Sequence, residues 1–342
     1  MIQKGYHKHY CMLWAIDAND REPHQYPSIP FFNTSEPIRS HILNETQLII
    51  DSNRYIPKIG STSRIHVRHG CSFKKCIGYY NQIGNVDAII TTSDDMRAID
   101  EKVWPKQCNG KFIVTGLPSN DRLFSPANIS QFLNELTGET KIFNKIIGWL
   151  PTYRQHRWGN KTINHKYPFG LPLIKTQSDL INTNNYLHTH NILLLIQMHH
   201  AQAKNYASVG NYSNIKVVTE PLKNKYRLTN GDILGHCDAL ITDYSAAYHE
   251  YIILNRPIAL TIDDICEYEQ CVGFCYPYKE WIHGQYCTTL ENLTGFFNNV
   301  IDNPVALVKQ QLDSLNRIHK YVDANSTKRV VEYLEDNKFI TK

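Results

Sequence analysis

Short, nearly uninterrupted apolar runs alternate along the chain with longer segments of mixed polarity. The first half contains TQLIID (46–51), RIHV (64–67), DAIITTS (87–93) and KFIVTG (111–116). The second half contains KIIGWLP (145–151), NILLLIQM (191–198), IKVVT (215–219), DALITD (238–243) and PIALTI (257–262). Runs this apolar predict strands buried on both faces, and their alternation with helix-length segments predicts parallel sheets. One such set in each half predicts two Rossmann-like domains in tandem, with a boundary near FLNELTGETKIF (132–143). From Leu290 onward the pattern turns helical. Leu307, Val308, Leu312, Leu315, Ile318 and Val322 recur at helical spacing. Asn325 or Ser326 is placed to cap a final helix carrying Val330, Val331 and Leu334.

Size supports two domains, since 342 residues exceed what one compact core usually organises. With 42% hydrophobic and 20% charged residues the chain is an ordinary globular one, not a disordered one. Lys and Arg number 36 against 32 Asp and Glu, a net +4 that gives no case for nucleic acid. A local basic site for an anionic substrate or a lipid surface stays open. The longest apolar runs, such as ILLLI (192–196), are too short to span a bilayer, and CMLWAI near the start is too short for a secretory leader. The expectation is a cytoplasmic protein that touches the inner face of the membrane at most peripherally. Nine scattered cysteines read as reduced thiols. The spacing of Cys266, Cys271, Cys275 and Cys287 fits no metal-ligand pattern, so no metal site is expected there; no cofactor is expected to be required, and dependence on a divalent cation stays open.

Ligands of open parallel sheets sit beyond the carboxyl ends of the strands. Those positions are His69-Gly70, Gly116, Pro151-Thr152, His199-His200 and Asp243-Tyr244-Ser245. Ser245 reads as the N-cap of a helix running to about Leu254, whose first N–H groups can receive an anion; Asp243 and Ser245 as plain helix caps is an equal reading. His199 can donate to a phosphate oxygen, or be structural. His69 is followed by Gly70, which permits close backbone approach, and by Lys74 and Lys75, which supply positive potential. Thr152 and Arg154 lie beyond another strand end, and Arg154 suits bidentate phosphate recognition. The chain has no Walker loop, G-x-G-x-x-G or nucleophile motif. The chemistry indicated is acid–base and electrostatic, on a phosphorylated donor held between two domains.

Taken together, HGCSFK (69–74), GLPSND (116–121), LPTYR (150–154), LLIQMHH (194–200), LITDYSAAYHEYIILNRPI (240–258), DDICEYEQCVGFCYPYKEW (263–281) and DANSTKRVVEYL (323–334) resemble, in order and spacing, the CDP-glycerol glycerophosphotransferase family of teichoic-acid primases and polymerases. The resemblance implies an α/β GT-B fold: two Rossmann-like domains with parallel sheets around an inter-domain cleft. Residues 1–142 would form an abbreviated acceptor-side domain and 143–324 the CDP-donor domain, with 325–342 a helix returning to the first. It implies transfer of a glycerol-phosphate or related polyol-phosphate from a CDP-linked donor to a hydroxyl of a polyol-phosphate or glycan acceptor, lipid-linked, releasing CMP. By position, His69 would be the general base and His199 would stabilise the transferring phosphoryl group. Thr152, Arg154, Thr242, Asp243, Ser245 and Ala246 would bind the donor, and Gly70, Lys74 and Lys75 would provide the acceptor-side phosphate field. The sequence departs from the family pattern at Cys71, Ser72, Ala246 and Val272. A nucleotide-sugar glycosyltransferase of the same fold and a non-catalytic nucleotide-binding paralogue are the alternatives.

Overall fold

Each of the nine apolar runs forms a strand in the computed structural model, which describes residues 6–16, 30–33, 39–52, 60–75, 84–104, 109–154, 157–158, 161–162, 167–197 and 209–341. The first four make a parallel sheet in simple order: β1 (Leu48–Asp51), β2 (Ser63–His66), β3 (Ala88–Thr91) and β4 (Lys111–Val114). The second sheet comprises β5 (Lys145–Trp149), β6 (Ile192–Ile196), β7 (Ile215–Val217), β8 (Ala239–Thr242), β9 (Ile258–Thr261) and β10 (Gln285–Cys287). Its order is β7-β6-β5-β8-β9-β10, parallel throughout. Within these two sheets β10 alone lacked a sequence signal, because three residues are too few to display a pattern; two further two-stranded pairings, Trp14–Ile16 with Phe31–Asn33 and Arg157–Trp158 with Lys161–Thr162, lie outside the sequence reading as well.

Continuous burial explains the apolar runs. Every residue of β6, β8 and β9 is buried, as required of strands covered on both faces. Strand order reverses between β5 and β8, so the chain diverges to opposite sides of the sheet there. That divergence opens a crevice at their carboxyl ends, flanked by the 150–154 and 243–246 loops.

Four helices position the rest. Ser93 caps α1 (Asp94–Val103), accepting the Met96 N–H at 3.0 Å. The others are α2 (Ala247–Tyr251), α3 (Pro304–Ile318) and α4 (Ser326–Asp336). α3 stops at Ile318, leaving Val322 47% exposed, so the helical spacing read through Val322 ends one turn early. α4 crosses back to the N-terminal sheet, burying Val330, Val331 and Leu334 against Ile65, Ala88, Ile90 and Leu117. Its cap is a correction to the sequence reading. Asn325 makes no side-chain cap; the carboxylate of Asp121 accepts the N–H groups of Ser326 and Thr327, both at 2.8 Å. A remote carboxylate does the same electrostatic work there as a local one. The Lys320 N–H donates to the Thr92 carbonyl at 2.9 Å, stitching the two halves behind the cleft. No helix among the described residues is long and apolar enough to cross a membrane.

Candidate active site

The switch-point crevice is built around a buried ion cluster. Asp243 accepts the Thr152 N–H at 3.0 Å and an Arg154 Nη1–H at 2.8 Å. Arg154 also donates from Nε (2.7 Å) and Nη2 (3.2 Å) to Asp264, and from Nη1 to the Thr152 carbonyl at 2.9 Å. Burial alone would lower the guanidinium pKa, but Asp243 and Asp264 outweigh it and hold the value well above the ordinary one. Arg154 is thus not aimed outward as a phosphate fork; it braces the 150–154 loop onto the 243 loop. The buried Thr242 hydroxyl likewise ties these loops, donating to the Leu150 carbonyl at 2.8 Å. Asp243, between them, accepts bonds from both the Thr152 N–H and Arg154.

Around this brace other polar atoms are without hydrogen-bond partners among the described residues. Thr152 Oγ1 is buried and takes no hydrogen bond among the described residues. The N–H groups of Ser245 and Ala246 have no partner there either. Ser245 is half-buried, and its Oγ accepts the Ala247 N–H at 3.3 Å. The N-cap position belongs to Ala246, not Ser245, and α2 gives way at Ile252 to a single 3-10 turn. So short a helix contributes little dipole; the local N–H groups are what an anion would meet.

The opposite wall is the turn after β2. Arg68 adopts a left-handed backbone (φ 60°), unusual for a side-chain-bearing residue. Its guanidinium holds that turn through Asp100 (2.7 Å) and Ser72 (3.0 Å), and lies 5.3 Å over the Trp104 ring. Ser72 also accepts the Trp104 indole N–H at 3.2 Å, and Asp100 accepts the Thr91 hydroxyl at 2.7 Å. Ser72, one of the departures from the family pattern, is therefore a buried acceptor of this brace.

Gly70 carries the turn to the other domain. Its φ is +155°, and a Cβ placed there would lie 3.1 Å from the Ala246 methyl. The loops of His69-Gly70 and Ser245-Ala246 thus touch. His69 is exposed, and its Nδ1–H donates to the Ser52 carbonyl at 3.2 Å. A carbonyl can only accept, so this bond places the proton on Nδ1 and fixes the tautomer. Crowding by surrounding protein lowers the His69 pKa; the Ser52 bond opposes this, and His66 and Arg68 reinforce it. The imidazole is therefore neutral, and basic, at neutral pH. Behind it, buried Asp51 binds both His66 and Arg64.

Beyond Gly70 the chain straps onto the C-terminal domain. Lys74 forms a β-bridge with Phe274, the Cys275 N–H donates to the Phe73 carbonyl at 2.8 Å, and the Phe73 ring meets His249 (4.7 Å) and Phe274 (5.3 Å). Lys74 Nζ lies 5.9 Å from the Tyr268 ring centre, and Lys75 is exposed beside Gly273. Both lysines consequently line the C-terminal wall. Burial pushes the Cys71 thiol up to about 11, so it stays protonated and is no nucleophile. His199 lies outside the described residues. No group of three His, Cys, Asp or Glu residues among the described ones can hold a metal ion.

Sequence reading missed Ser52, Arg68, Asp100 and Asp264. Asp264 stood in the acidic segment already noticed; the other three carried no signal of their own.

A family model described as CDP-Glycerol:Poly(glycerophosphate) glycerophosphotransferase matches residues 2–336. The chain is 27% identical over 250 residues to the teichoic acid glycerol-phosphate primase of Bacillus subtilis, covering 73% of this chain and 58% of that one. It is also 27% identical over 224 residues to the teichoic acid ribitol-phosphate polymerase TarK of Staphylococcus aureus, covering 65% and 40%. The chain thus spans about half the length of these curated relatives. The solved structure of the wall teichoic acid polymerase TagF superposes with a TM-score of 0.75 at 18% identity, over 98% of this chain and 83% of that one, a likeness of fold.

Proposed function

Because the chain belongs to the CDP-glycerol:poly(glycerophosphate) glycerophosphotransferase family, we propose that it transfers a glycerol-phosphate or related polyol-phosphate unit from a CDP-linked donor to a hydroxyl of a cell-surface polymer precursor, releasing CMP. The observation that carries this reading is the contact of Gly70 with Ala246, which brings the loop bearing the tautomer-fixed His69 against the loop that carries the Ser245 and Ala246 N–H groups. His69 Nε2 takes the proton of the acceptor hydroxyl as its oxygen attacks the glycerol-bearing phosphorus. The phosphorus–oxygen bond to CMP breaks, and CMP leaves with the bonding electrons. Thr152 Oγ1 and the Ser245 and Ala246 N–H groups hold the donor phosphates, and Lys74 and Lys75 add positive potential. His199, by family position, stabilises the transferring phosphoryl group. Such transfer needs mainly positioning and charge stabilisation, which these groups supply. Residues 1–142 serve the acceptor and 143–324 the donor; the acceptor is lipid-linked and met at the inner face of the membrane.

The test is CMP release by the purified protein offered CDP-glycerol, CDP-ribitol, and UDP- and GDP-sugars, with an oligo(glycerol phosphate) acceptor. Release from CDP-polyols alone supports the reading. Turnover of a nucleotide sugar instead makes the protein a glycosyltransferase, and CDP-glycerol binding without CMP release makes it a non-catalytic paralogue.

A further inference from the structure

α2 meets the 69–73 segment along its length. Ala246 lies against Gly70 and His249 against the Phe73 ring, while Glu250, one turn beyond Ala246, is electrostatically coupled to Cys71. The Glu250 N–H donates to the Ala246 carbonyl at 3.2 Å, so residues 246 and 250 share the helix face that looks toward the N-terminal domain. Glu250 is half-buried, yet among the described residues its carboxyl takes neither a hydrogen bond nor an ion pair. Every fully buried acid of the described chain is compensated: Asp51 by Arg64 and His66, Asp100 by Arg68, Asp232 by Arg122, Asp243 and Asp264 by Arg154. Burial alone pushes the Glu250 pKa up to about 7, with no cation close enough to offset it. The Cys71 thiol, whose pKa it raises slightly, is neutral. A partly desolvated, unpartnered carboxyl is costly in a finished fold and is characteristic of groups whose partner arrives with a ligand.

We propose that Glu250 recognises the polyol of the acceptor, its carboxyl accepting hydrogen bonds from hydroxyl groups next to the one that attacks. This inference rests on the transferase reading above. A carboxylate repels phosphate and suits hydroxyl donors, and its two oxygens match a vicinal diol. Its position assigns it to the acceptor rather than the donor, because it shares the helix face on which Ala246 meets Gly70 of the N-terminal domain, whereas Thr152 and Ser245 lie toward the switch point. Phosphate and polyol recognition are thereby divided between the lysines and this acid.

Glu250→Ala and the shape-preserving Glu250→Gln are compared with the native chain in two measurements. In CMP release at saturating CDP-glycerol, the alanine variant raises the acceptor KM about 10- to 100-fold and leaves the donor KM unchanged, and the glutamine variant falls between. In calorimetry without donor, oligo(glycerol phosphate) binding weakens by the same factor. A wild-type acceptor KM in both variants, or a change confined to the donor KM, overturns the assignment while the transferase reading stands. Loss of polyol binding in the variants of a chain that releases no CMP removes the transferase reading and leaves polyol recognition by Glu250 supported.

Discussion

Replacing Arg154 with Met tests whether the switch-point guanidinium is a brace or a substrate ligand. The side chain is 4% exposed, its partners Asp243 and Asp264 are fully buried, and four hydrogen bonds disappear with it. Met conserves most of the volume, so little of the effect comes from a cavity. What remains is two carboxylates buried without a counter-charge, a situation that costs about 3–5 kcal/mol. At roughly 2–4 °C per kcal/mol for a unit the size of the C-terminal half, the melting temperature falls by roughly 10 °C. The assay is thermal unfolding followed by fluorescence of Trp149, which is buried on β5 immediately before the braced loop. Adding Asp264→Asn to Arg154→Met restores part of the loss, since one of the two stranded charges is removed. A variant that melts within 1–2 °C of the native chain but binds CDP-glycerol far more weakly would refute the brace. Arg154 would then be a donor ligand, as the sequence alone suggested.

His69→Ala lowers CMP release about 10²- to 10⁴-fold and leaves CDP binding by calorimetry near the native value; unchanged turnover removes the base assignment. Thr152→Val deletes the buried, unpartnered hydroxyl and raises the donor KM roughly tenfold with little change in melting, whereas native donor kinetics would exclude that contact. Two buried histidines predict acid sensitivity. Burial holds His249 at about 3 and His319 at about 4. Below an unfolded value of ~6.5 the unfolded chain therefore binds protons that the fold refuses, and stability falls as pH falls, by up to ~1.4 kcal/mol per pH unit for each histidine, until about pH 4. Denaturant midpoints measured from pH 7.5 to 4.5 reveal that slope, and His319→Gln reduces it; the same slope in that variant would show that other groups set the acid limit.

The apolar runs by themselves determined nine strands and two parallel sheets, because burial on both faces demands continuous hydrophobicity at every position. The carboxyl-end rule then marked His69, Thr152 and the 243–246 loop, since strand ends can be read wherever strands can. Only the tertiary structure decided what each polar side chain does. Arg154 looks the same in sequence whether it faces a phosphate or two carboxylates, and its partner Asp264 follows a different strand. Asp121 caps a helix that begins 205 residues later in the chain, and Ser52 fixes the His69 tautomer from a neighbouring strand. Strand order is the physical reason. Hydrogen-bond and ion-pair partners are chosen by which strand ends lie side by side, and hydrophobic pattern records that a strand is buried, not which strand is its neighbour.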